Sequence, residues 1–359
     1  MGSKLFAPFK LGNLTLSNRV VMAPLTRSRS IGNIPGPLVA EYYRQRAGAG
    51  LIITEGTSPA ANGLGYARIP GCFSPEQVAA WRVVTDGVHA RGGRIFLQMM
   101  HTGRASHVDS LPAGAQVLAP SAVKLSGTIF TDTKGLQPYS MPEAMSLEQL
   151  QQTVAEYVHS ARSAVDAGFD GVELHSANGY LMDQFLNPVS NQRTDAYGGS
   201  IANRNRFVLE VAAAVTAAIG KERVGIRLSP YGVFNEMSIH PELHEQFVTL
   251  VEGLSELGLV YLHVVDHSPM GAPKPEARTI EGMRAAFKGV YILSGGYDAA
   301  RAEADLQAGK GELVAFGRPF SSNPDLVTRL QTGAPLAQPD FATFYTPGEK
   351  GYTDYPSLS

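Results

Sequence analysis

The sequence predicts a protein of the α/β class, built as a single (β/α)8 TIM barrel. Short apolar runs alternate eight times with longer segments of helical period, and no change in composition or linker interrupts the series. The runs are rich in Val, Ile, Leu or Phe, which is typical of parallel strands buried on both faces. Eight such units favour a closed barrel over an open, doubly wound sheet.

The predicted elements follow one another in regular alternation along the chain. The eight strands are predicted at Arg19–Ala23, Leu51–Thr54, Arg94–Gln98, Gly171–His175, Val224–Leu228, Val260–Val265, Val290–Ser294 and Leu313–Phe316. The eight helices are predicted at Pro37–Ala47, Pro75–Arg91, Ser146–Ala167, Ser200–Ile219, Pro241–Leu257, Glu276–Phe287, Asp298–Ala308 and Pro324–Gln331. Ser146 and Gln149 have the spacing of a capping box, and Ser200 is a predicted N-cap.

Two segments lie outside the alternation. Residues 1–18 predict a hairpin that turns at Gly12-Asn13 and plugs the lower mouth of the barrel. Residues 99–145 form a long insertion after the third strand, predicted to be irregular and to act as a lid or a binding loop. A minimal barrel takes about 250 residues. With these additions, residues 1–359 are expected to form one domain.

Composition excludes several classes of protein. The net charge is −2, without the basic excess of a dedicated nucleic-acid binder. The single cysteine, Cys72, can form neither an internal disulfide nor a cysteine-ligated metal cluster. The sequence has no apolar run near the ~18 residues of a membrane helix, and no signal peptide is recognisable. We therefore expect a cytoplasmic protein that binds neither nucleic acid nor membranes.

Glycine and arginine in the last two barrel loops indicate a phosphate site. Phosphate sites in these barrels often form after strands seven and eight, where this chain has Gly295-Gly296 and Gly317-Arg318. Glycines let backbone N–H groups approach an anion, and Arg318 adds a permanent cation. The alternative is that the glycine pair only makes a tight turn.

The loop after the fourth predicted strand carries the strongest catalytic signal. His175 and Asn178 can aim two neutral donors at one oxygen, which would polarise a carbonyl or nitro group. Tyr180 is then placed to deliver a proton to carbon. The alternative is a buried His–Asn pair that only holds the loop together. No sequence motif of a metal site, a nucleophilic hydrolase or a dinucleotide-binding fold competes with this interpretation.

These segments resemble the Old Yellow Enzyme family of FMN-dependent ene-reductases, of the bacterial N-ethylmaleimide reductase or nitrate-ester reductase type. The most specific match is the 33-residue stretch HSANGYLMDQFLNPVSNQRTDAYGGSIANRNRF at 175–207. Further matches are NRVVMAPLTRSR (18–29), EYYRQRAGAGLIITEGT (41–57), IFLQMMHTGR (95–104) and FGRPFSSNPDL (316–326). The resemblance covers nearly the whole chain.

The resemblance implies a tightly but non-covalently bound FMN, with NADPH or NADH as co-substrate. The residues that would contact FMN are Pro24, Thr26, Gly56, Gln98, Arg227, Gly295, Gly296, Gly317 and Arg318. Among these, Arg227 would place its charge where reduction adds negative charge to the flavin. The last four would hold the phosphate, in agreement with the barrel argument.

The same resemblance implies the reaction. His175 and Asn178 would bind the oxygen of an α,β-unsaturated carbonyl or nitro compound, flavin N5 would give hydride to the β-carbon, and Tyr180 would protonate the α-carbon. Tyr66, Met100 and Tyr345 would line the substrate pocket. Activated alkenes and phenols are the implied ligands, with nitro compounds, nitrate esters and quinones as further substrate classes. The chain would be a monomer or a homodimer.

This chain departs from the family pattern at two pocket positions. Met100 stands where many relatives have Trp, which changes the size of the pocket, and Gly56 stands where Ala is common, with no expected effect on a backbone contact. Asn178 is one of two residue types that relatives carry at the second donor position. Asp195, Tyr197, Gly198-Gly199 and Asn203-Arg204 are expected to be structural only.

Two other functions remain open from the residues. A barrel enzyme acting on a sugar phosphate would use the same phosphate site for its substrate, although no Lys lies at a strand end for a Schiff base. A non-catalytic flavin-binding protein would keep the cofactor residues without needing Tyr180. Larger relatives with iron–sulfur domains are excluded by the cysteine count and the length.

Overall fold

The computed structural model describes residues 2–358. Its strands are β1 (Phe9–Leu11), β2 (Leu14–Leu16), β3 (Val20–Met22), β4 (Leu51–Ile53), β5 (Ile95–Met99), β6 (Leu118–Ala119), β7 (Thr128–Thr131), β8 (Gly135–Pro138), β9 (Glu143–Ala144), β10 (Gly171–Ser176), β11 (Val224–Leu228), β12 (Tyr261–Val265), β13 (Val290–Ser294) and β14 (Leu313–Phe316). Its α-helices are α1 (Pro37–Gln45), α2 (Pro75–His89), α3 (Leu147–Asp166), α4 (Leu181–Leu186), α5 (Ile201–Ile219), α6 (Leu243–Leu257), α7 (Ala277–Ala286), α8 (Ala299–Gln307), α9 (Arg318–Ser322) and α10 (Leu326–Thr332). Short 3-10 helices lie at Ile31–Asn33, Ala61–Gly63, Val108–Ser110, Lys221–Arg223, Phe234–Glu236, Ser268–Met270 and Phe341–Thr343.

Eight parallel strands close into a barrel in the order β3, β4, β5, β10, β11, β12, β13 and β14, with β14 paired to β3. Helices connect successive strands, so the predicted (β/α)8 fold is confirmed. All eight predicted strands and all eight predicted helices are present, with ends within two residues of the prediction. The short helices α4 and α9 were not predicted, because six and five residues are too few to show a helical period.

Alternation along the strands separates two apolar layers. On β3, Val20 and Met22 pack outward against the helices, whereas Val21 packs in the barrel interior. Lower in the barrel, a Cβ atom at Gly225 would lie 2.6 Å from a ring carbon of Tyr261. Glycine is therefore required there, because the tyrosine ring occupies the space beside the strand.

The N-terminal hairpin closes the lower end of the barrel, as predicted. β1 and β2 pair antiparallel, with Leu11 opposite Leu14 across the Gly12-Asn13 turn. Leu11 and Leu16 are fully buried in the same cluster as Val21 and Tyr261 of the barrel interior. The hairpin thus covers apolar side chains that would otherwise meet water at the lower mouth.

The insertion after β5 is more regular than predicted. Within residues 99–145, β7 and β8 form an antiparallel hairpin, and β6 pairs in parallel with β9. The prediction of an irregular segment was wrong on this point. These strands have two to four residues each, and β8 and β9 have no buried residue, so no apolar alternation marks them.

The predicted helix caps are present. The Gln149 N–H donates to Ser146 Oγ at 3.1 Å, and the Ser146 N–H donates to Gln149 Oε1 at 2.8 Å, which completes a capping box. The Asn203 N–H donates to Ser200 Oγ at 3.3 Å. Within residues 2–358, no helix is long and apolar enough to cross a membrane.

Residues 193–204 form a network of internal contacts. Asp195 pairs with Arg193 at 2.6 Å, the Asn203 amide donates to the Gly198 carbonyl at 3.0 Å, and Arg204 donates to Gln246. Tyr197 donates to Glu210 at 2.9 Å. These contacts agree with the structural role expected for this part of the 33-residue stretch.

Candidate active site

A ring of polar side chains fills the barrel interior directly above the apolar layer. Gln98, Glu173, His175, Arg227 and His263 all belong to barrel strands and are all buried. The register places Glu173 beside Gln98, and Arg227 between His175 and His263. Because side chains alternate along a strand, residues two apart such as Glu173 and His175 face the same interior.

Hydrogen bonds join the lower members of this ring. The Gln98 amide donates to Glu173 Oε1 at 2.8 Å, and His263 Nδ1 lies 2.8 Å from Glu173 Oε2. Burial lowers the pKa of Arg227, an effect that the nearby Glu173 carboxylate opposes. Within residues 2–358, the buried Nε of Arg227 has no hydrogen-bond partner. The guanidinium thus keeps an unused donor at the upper end of the barrel.

The end of β10 and the turn after it carry the predicted donor pair and phenol. Asn178 and Gly179 both have positive φ, of 60° and 71°. A Cβ atom at Gly179 would lie 2.6 Å from the carbonyl oxygen of Phe234, so only glycine fits against that loop. Asp183 accepts the Gly179 N–H at 2.8 Å, and Gln184 donates to the Gly179 carbonyl at 2.7 Å. These contacts fix the turn from both sides.

Tyr180 is held as a neutral phenol beside His175. Their rings meet edge to face with centroids 5.0 Å apart. Burial raises the pKa of Tyr180 to about 12, against a smaller opposing effect of Tyr66. Burial and the neighbouring Arg227 hold the pKa of His175 well below its usual value. At neutral pH the phenol therefore keeps its proton, and the imidazole is uncharged.

A cavity of about 560 Å³ opens over this turn. Nine of the predicted site residues line it: Pro24, Thr26, Gln98, Met100, His175, Asn178, Tyr180, Arg227 and Tyr345. Loop residues that were not predicted complete the walls, including Phe234, His267, Met270 and Phe344. The structure thus brings the predicted donor pair, the phenol and part of the predicted flavin contacts to one cavity.

A second cavity of about 470 Å³ adjoins the first and shares Pro24, Leu25, Arg227, His267 and Met270 with it. Its far end is lined by the four predicted phosphate residues: Gly295, Gly296, Gly317 and Arg318.

Conformation and space explain the glycines at that end. Gly295 has φ 133° and Gly296 has φ 61°, and a Cβ atom on Gly295 would lie 2.9 Å from Asp266 Cβ. These glycines therefore present bare backbone beside the Arg318 cation. At the opposite end of the cavity, Arg227 offers its unused donor. This donor set fits an elongated cofactor such as FMN, with a phosphate at one end and a polar ring edge at the other.

Two predicted residues lie behind the cavity wall. Tyr66 packs edge to face on Tyr180, with ring centroids 6.0 Å apart, and borders a separate hollow beside Arg68. Gly56 lies behind Met100, and a Cβ atom on it would be 2.5 Å from Met100 Cε. The two departures from the family pattern are thus in contact. The absent Cβ of Gly56 makes room for the Met100 side chain.

Sequence reasoning missed three polar residues of the site. Glu173 and His263 lie in predicted strands, and their interior orientation could have been found from their two-residue spacing to His175 and Tyr261. His267 lies two residues after β12, where no local pattern marks it. Among the described residues, no group of three His, Cys, Asp or Glu side chains could hold a metal ion.

The class of protein follows from the paired cavities at the carboxyl ends of the barrel strands. One cavity suits a phosphate-bearing cofactor, and the other suits a small substrate beside it, as in a cofactor-dependent barrel oxidoreductase. The chain belongs to the NADH:flavin oxidoreductase / NADH oxidase family, whose model matches residues 4–337.

Individual relatives agree with the family match along nearly the whole chain. It is 42% identical to the probable flavin mononucleotide-dependent alkene reductase of Leishmania infantum, over 98% of this chain and 96% of that one. Morphinone reductase superposes with a TM-score of 0.95 at 46% identity, over 99% and 96% of the two chains. The Old Yellow Enzyme homologue of Zymomonas mobilis gives 0.94 at 39% identity, over 99% and 100%.

These comparisons confirm the prediction of an Old Yellow Enzyme-type flavoprotein. They confirm the FMN-dependent ene-reductase class and FMN as cofactor with a nicotinamide co-substrate. One morphinone reductase structure contains tetrahydroNAD.

Proposed function

We propose that this enzyme reduces the C=C bond of small α,β-unsaturated carbonyl and nitro compounds, with Tyr180 as the acid and His175 and Asn178 as the oxygen-binding pair. The observation that carries the proposal is that all three side chains line one cavity together with Gln98 and Arg227. Two donors and one acid at the end of β10 and in the turn after it suit a substrate whose oxygen and α-carbon are close together.

The cofactor would be held along the two adjoining cavities. Gly295, Gly296, Gly317 and Arg318 would bind its phosphate, and Arg227, Gln98, Thr26 and Pro24 would contact its ring system. Bound FMN would supply the hydride that passes from NADPH or NADH to the β-carbon of the alkene. The buried guanidinium of Arg227 would stabilise negative charge at the polar edge of the ring.

His175 and Asn178 would bind the substrate oxygen by donating hydrogen bonds. Because burial keeps His175 uncharged, it would act as a neutral hydrogen-bond donor. Its hydrogen bond would stabilise the negative charge that develops on the substrate oxygen. Phenols would bind to the same pair, since a phenolate presents a similar oxygen. Among residues 2–358, no Lys lines either cavity, so the alternative of a Schiff-base enzyme has no residue to support it.

Tyr180 would transfer its proton to the α-carbon. Its phenol is 8% exposed and lies beside His175 at the cavity wall, where a substrate held by the donor pair would reach it. Tyr66, Met100 and Tyr345 would shape the space around the alkene. Nitro compounds, nitrate esters and quinones present comparable oxygens and are included as substrate classes.

We also propose that residues 1–359 form a single FMN-binding domain and that the enzyme is a cytoplasmic monomer or homodimer. Phenolic ligands are proposed from the donor pair alone.

The deciding experiment is Tyr180→Phe, assayed with a simple enone. The substitution removes one hydroxyl, and loss of a general acid typically costs about 10²–10⁴-fold in rate. Stopped-flow measurement should show that alkene reduction slows by this factor, whereas reduction of the enzyme by NADPH changes little. A similar slowing of both half-reactions, or of neither, would contradict the role of Tyr180. A wild-type protein that, without oxygen, turns over NADPH no faster with an enone than without one would contradict the proposed activity.

A further inference from the structure

We propose that His267 is a positioning residue for the substrate, because it holds the Asn178 amide with its NH₂ group facing the cavity. The inference rests on the proposed role of Asn178 as an oxygen-binding donor. It concerns a residue two positions after β12, at the wall where the two cavities meet.

The backbone of Asn178 is fixed by two residues from the loop after β11. Its N–H donates to Ser229 Oγ at 2.9 Å, and its carbonyl accepts from Asn235 Nδ2 at 2.9 Å. With φ at 60°, Asn178 adopts a left-handed conformation that these contacts maintain. The position of its Cα and Cβ atoms is therefore determined. The orientation of the side-chain amide is the remaining freedom.

His267 determines that orientation. Its Nε2 lies 2.6 Å from Asn178 Oδ1. Burial and the nearby Arg227 lower the pKa of His267 to about 4, so the ring is neutral and has one N–H. With that proton on Nε2, His267 donates to Oδ1. No group within residues 2–358 accepts from Asn178 Nδ2, which leaves the NH₂ group available to a substrate oxygen.

The loop that carries His267 is itself fixed. The Asp266 N–H donates to the Ser294 carbonyl at 2.9 Å, and the Ser268 N–H donates to Asp266 Oδ1 at 2.8 Å. The Met270 N–H donates to the His267 carbonyl at 2.8 Å. The imidazole is thus attached to a rigid segment on both sides.

Orientation of the amide matters because its two ends act oppositely on a substrate. The NH₂ end donates to an oxygen, whereas Oδ1 would place lone pairs against it. Without His267, the amide could rotate about χ2 and present either end. A ligand would then have to select the productive orientation. Loss of one orienting hydrogen bond should weaken binding of an anionic oxygen about 3- to 10-fold.

The test is a double-mutant cycle on the FMN-loaded enzyme, with p-chlorophenol as the probe. His267→Leu removes the donor, and His267→Gln replaces the ring by a side chain that also has an N–H donor. Each is combined with Asn178→Ala, and phenol affinity is measured from the change in the visible spectrum. The affinity of each variant for FMN is the control, because a merely structural change would alter it.

We expect His267→Leu to weaken phenol binding about 3- to 10-fold when Asn178 is present and by less than about 2-fold in the Asn178→Ala background. His267→Gln should bind phenol within about 3-fold of the wild type. An equal effect in both backgrounds, or no effect in either, overturns the proposal. If His267→Leu does not bind FMN, His267→Gln decides: near-normal phenol binding supports positioning, and loss of binding overturns it.

Failure of the proposed function would look different. If Asn178→Ala alone leaves phenol affinity unchanged, then Asn178 is not an oxygen-binding residue. If Asn178→Ala weakens binding but His267→Leu does not, only the positioning role of His267 is refuted.

Discussion

Gly56→Ala tests whether the missing Cβ of Gly56 and the position of Met100 depend on each other. An added Cβ would lie 2.5 Å from Met100 Cε and 3.2 Å from Met100 Cβ, so the thioether must move by about 1 Å to reach ordinary contact. Met100 is 1% exposed and packs against Leu64 and Tyr180, with the substrate cavity on its open side. The side chain is therefore expected to move into that cavity.

Two opposing effects determine how much Gly56→Ala changes the free energy of unfolding. The backbone of Gly56 lies outside the left-handed region, so alanine fits it and should stabilise the fold by about 0.4–1 kcal/mol through the unfolded state. Crowding of a packed region costs about 1–3 kcal/mol. The net change is a loss of up to about 2.6 kcal/mol. With about 2.1 cal/mol/K of unfolding entropy per residue and 359 residues, this lowers Tm by at most about 3.5 °C.

The assay is a double-mutant cycle that combines Gly56→Ala with Met100→Ala. Stability is measured by thermal unfolding, and phenol affinity is measured by titration. In the Met100→Ala background the added Cβ meets no thioether, so Gly56→Ala should become stabilising by about 0.4–1 kcal/mol. Phenol binding should weaken several-fold with Gly56→Ala alone, and most strongly for phenols with large substituents. If Gly56→Ala changes stability and phenol affinity equally in both backgrounds, the coupling inferred from the structure is refuted.

Two further predictions concern the cofactor and the acid. Gly295→Ala should weaken FMN binding at least tenfold, because the new Cβ would crowd Asp266 at a φ of 133° that alanine rarely adopts. Fluorescence titration of the apoprotein with FMN measures this affinity. An unchanged affinity would contradict the proposed phosphate-binding role of this glycine. Burial raises the pKa of Tyr180 to about 12, so the phenol should stay protonated as the pH rises through 10, the usual tyrosine pKa. The rate of alkene reduction, measured by stopped flow between pH 7 and 11, should therefore not decline near pH 10. A decline centred at pH 10 would contradict this prediction.

The barrel could be predicted from the sequence because its signal is repeated. Each strand from Val20–Met22 to Leu313–Phe316 is a continuous apolar run, and closure follows from the number of units. The small sheets of the insertion could not be predicted in this way. In β7, alternate residues are exposed, but four residues are too few to distinguish from chance, and the tight Thr131–Gly135 turn gives no stronger indication.

Much of the site could also be predicted, since the position of a residue at the end of a parallel strand places it at the upper face of the barrel. This reasoning reached His175, and the family pattern added Gln98, Arg227, Pro24, Thr26 and Tyr345, all of which line the substrate cavity. Tyr66 was expected in the same pocket and instead supports Tyr180 from behind. Sequence alone gives the face on which a loop residue lies but does not tell whether another side chain stands in front of it.

Contacts between loops are the part of the site that sequence reasoning reaches last. Asn178 is held by Ser229, Asn235 and His267, which lie 51, 57 and 89 residues away along the chain. No local sequence pattern connects positions so distant, and a His two residues beyond a strand can serve many unrelated structural roles. The barrel narrows the set of residues that could contact Asn178, because strands β10, β11 and β12 are consecutive neighbours and their loops must emerge side by side. The candidates for orienting Asn178 therefore lie in two loops, and the 2.6 Å contact identifies His267 among them.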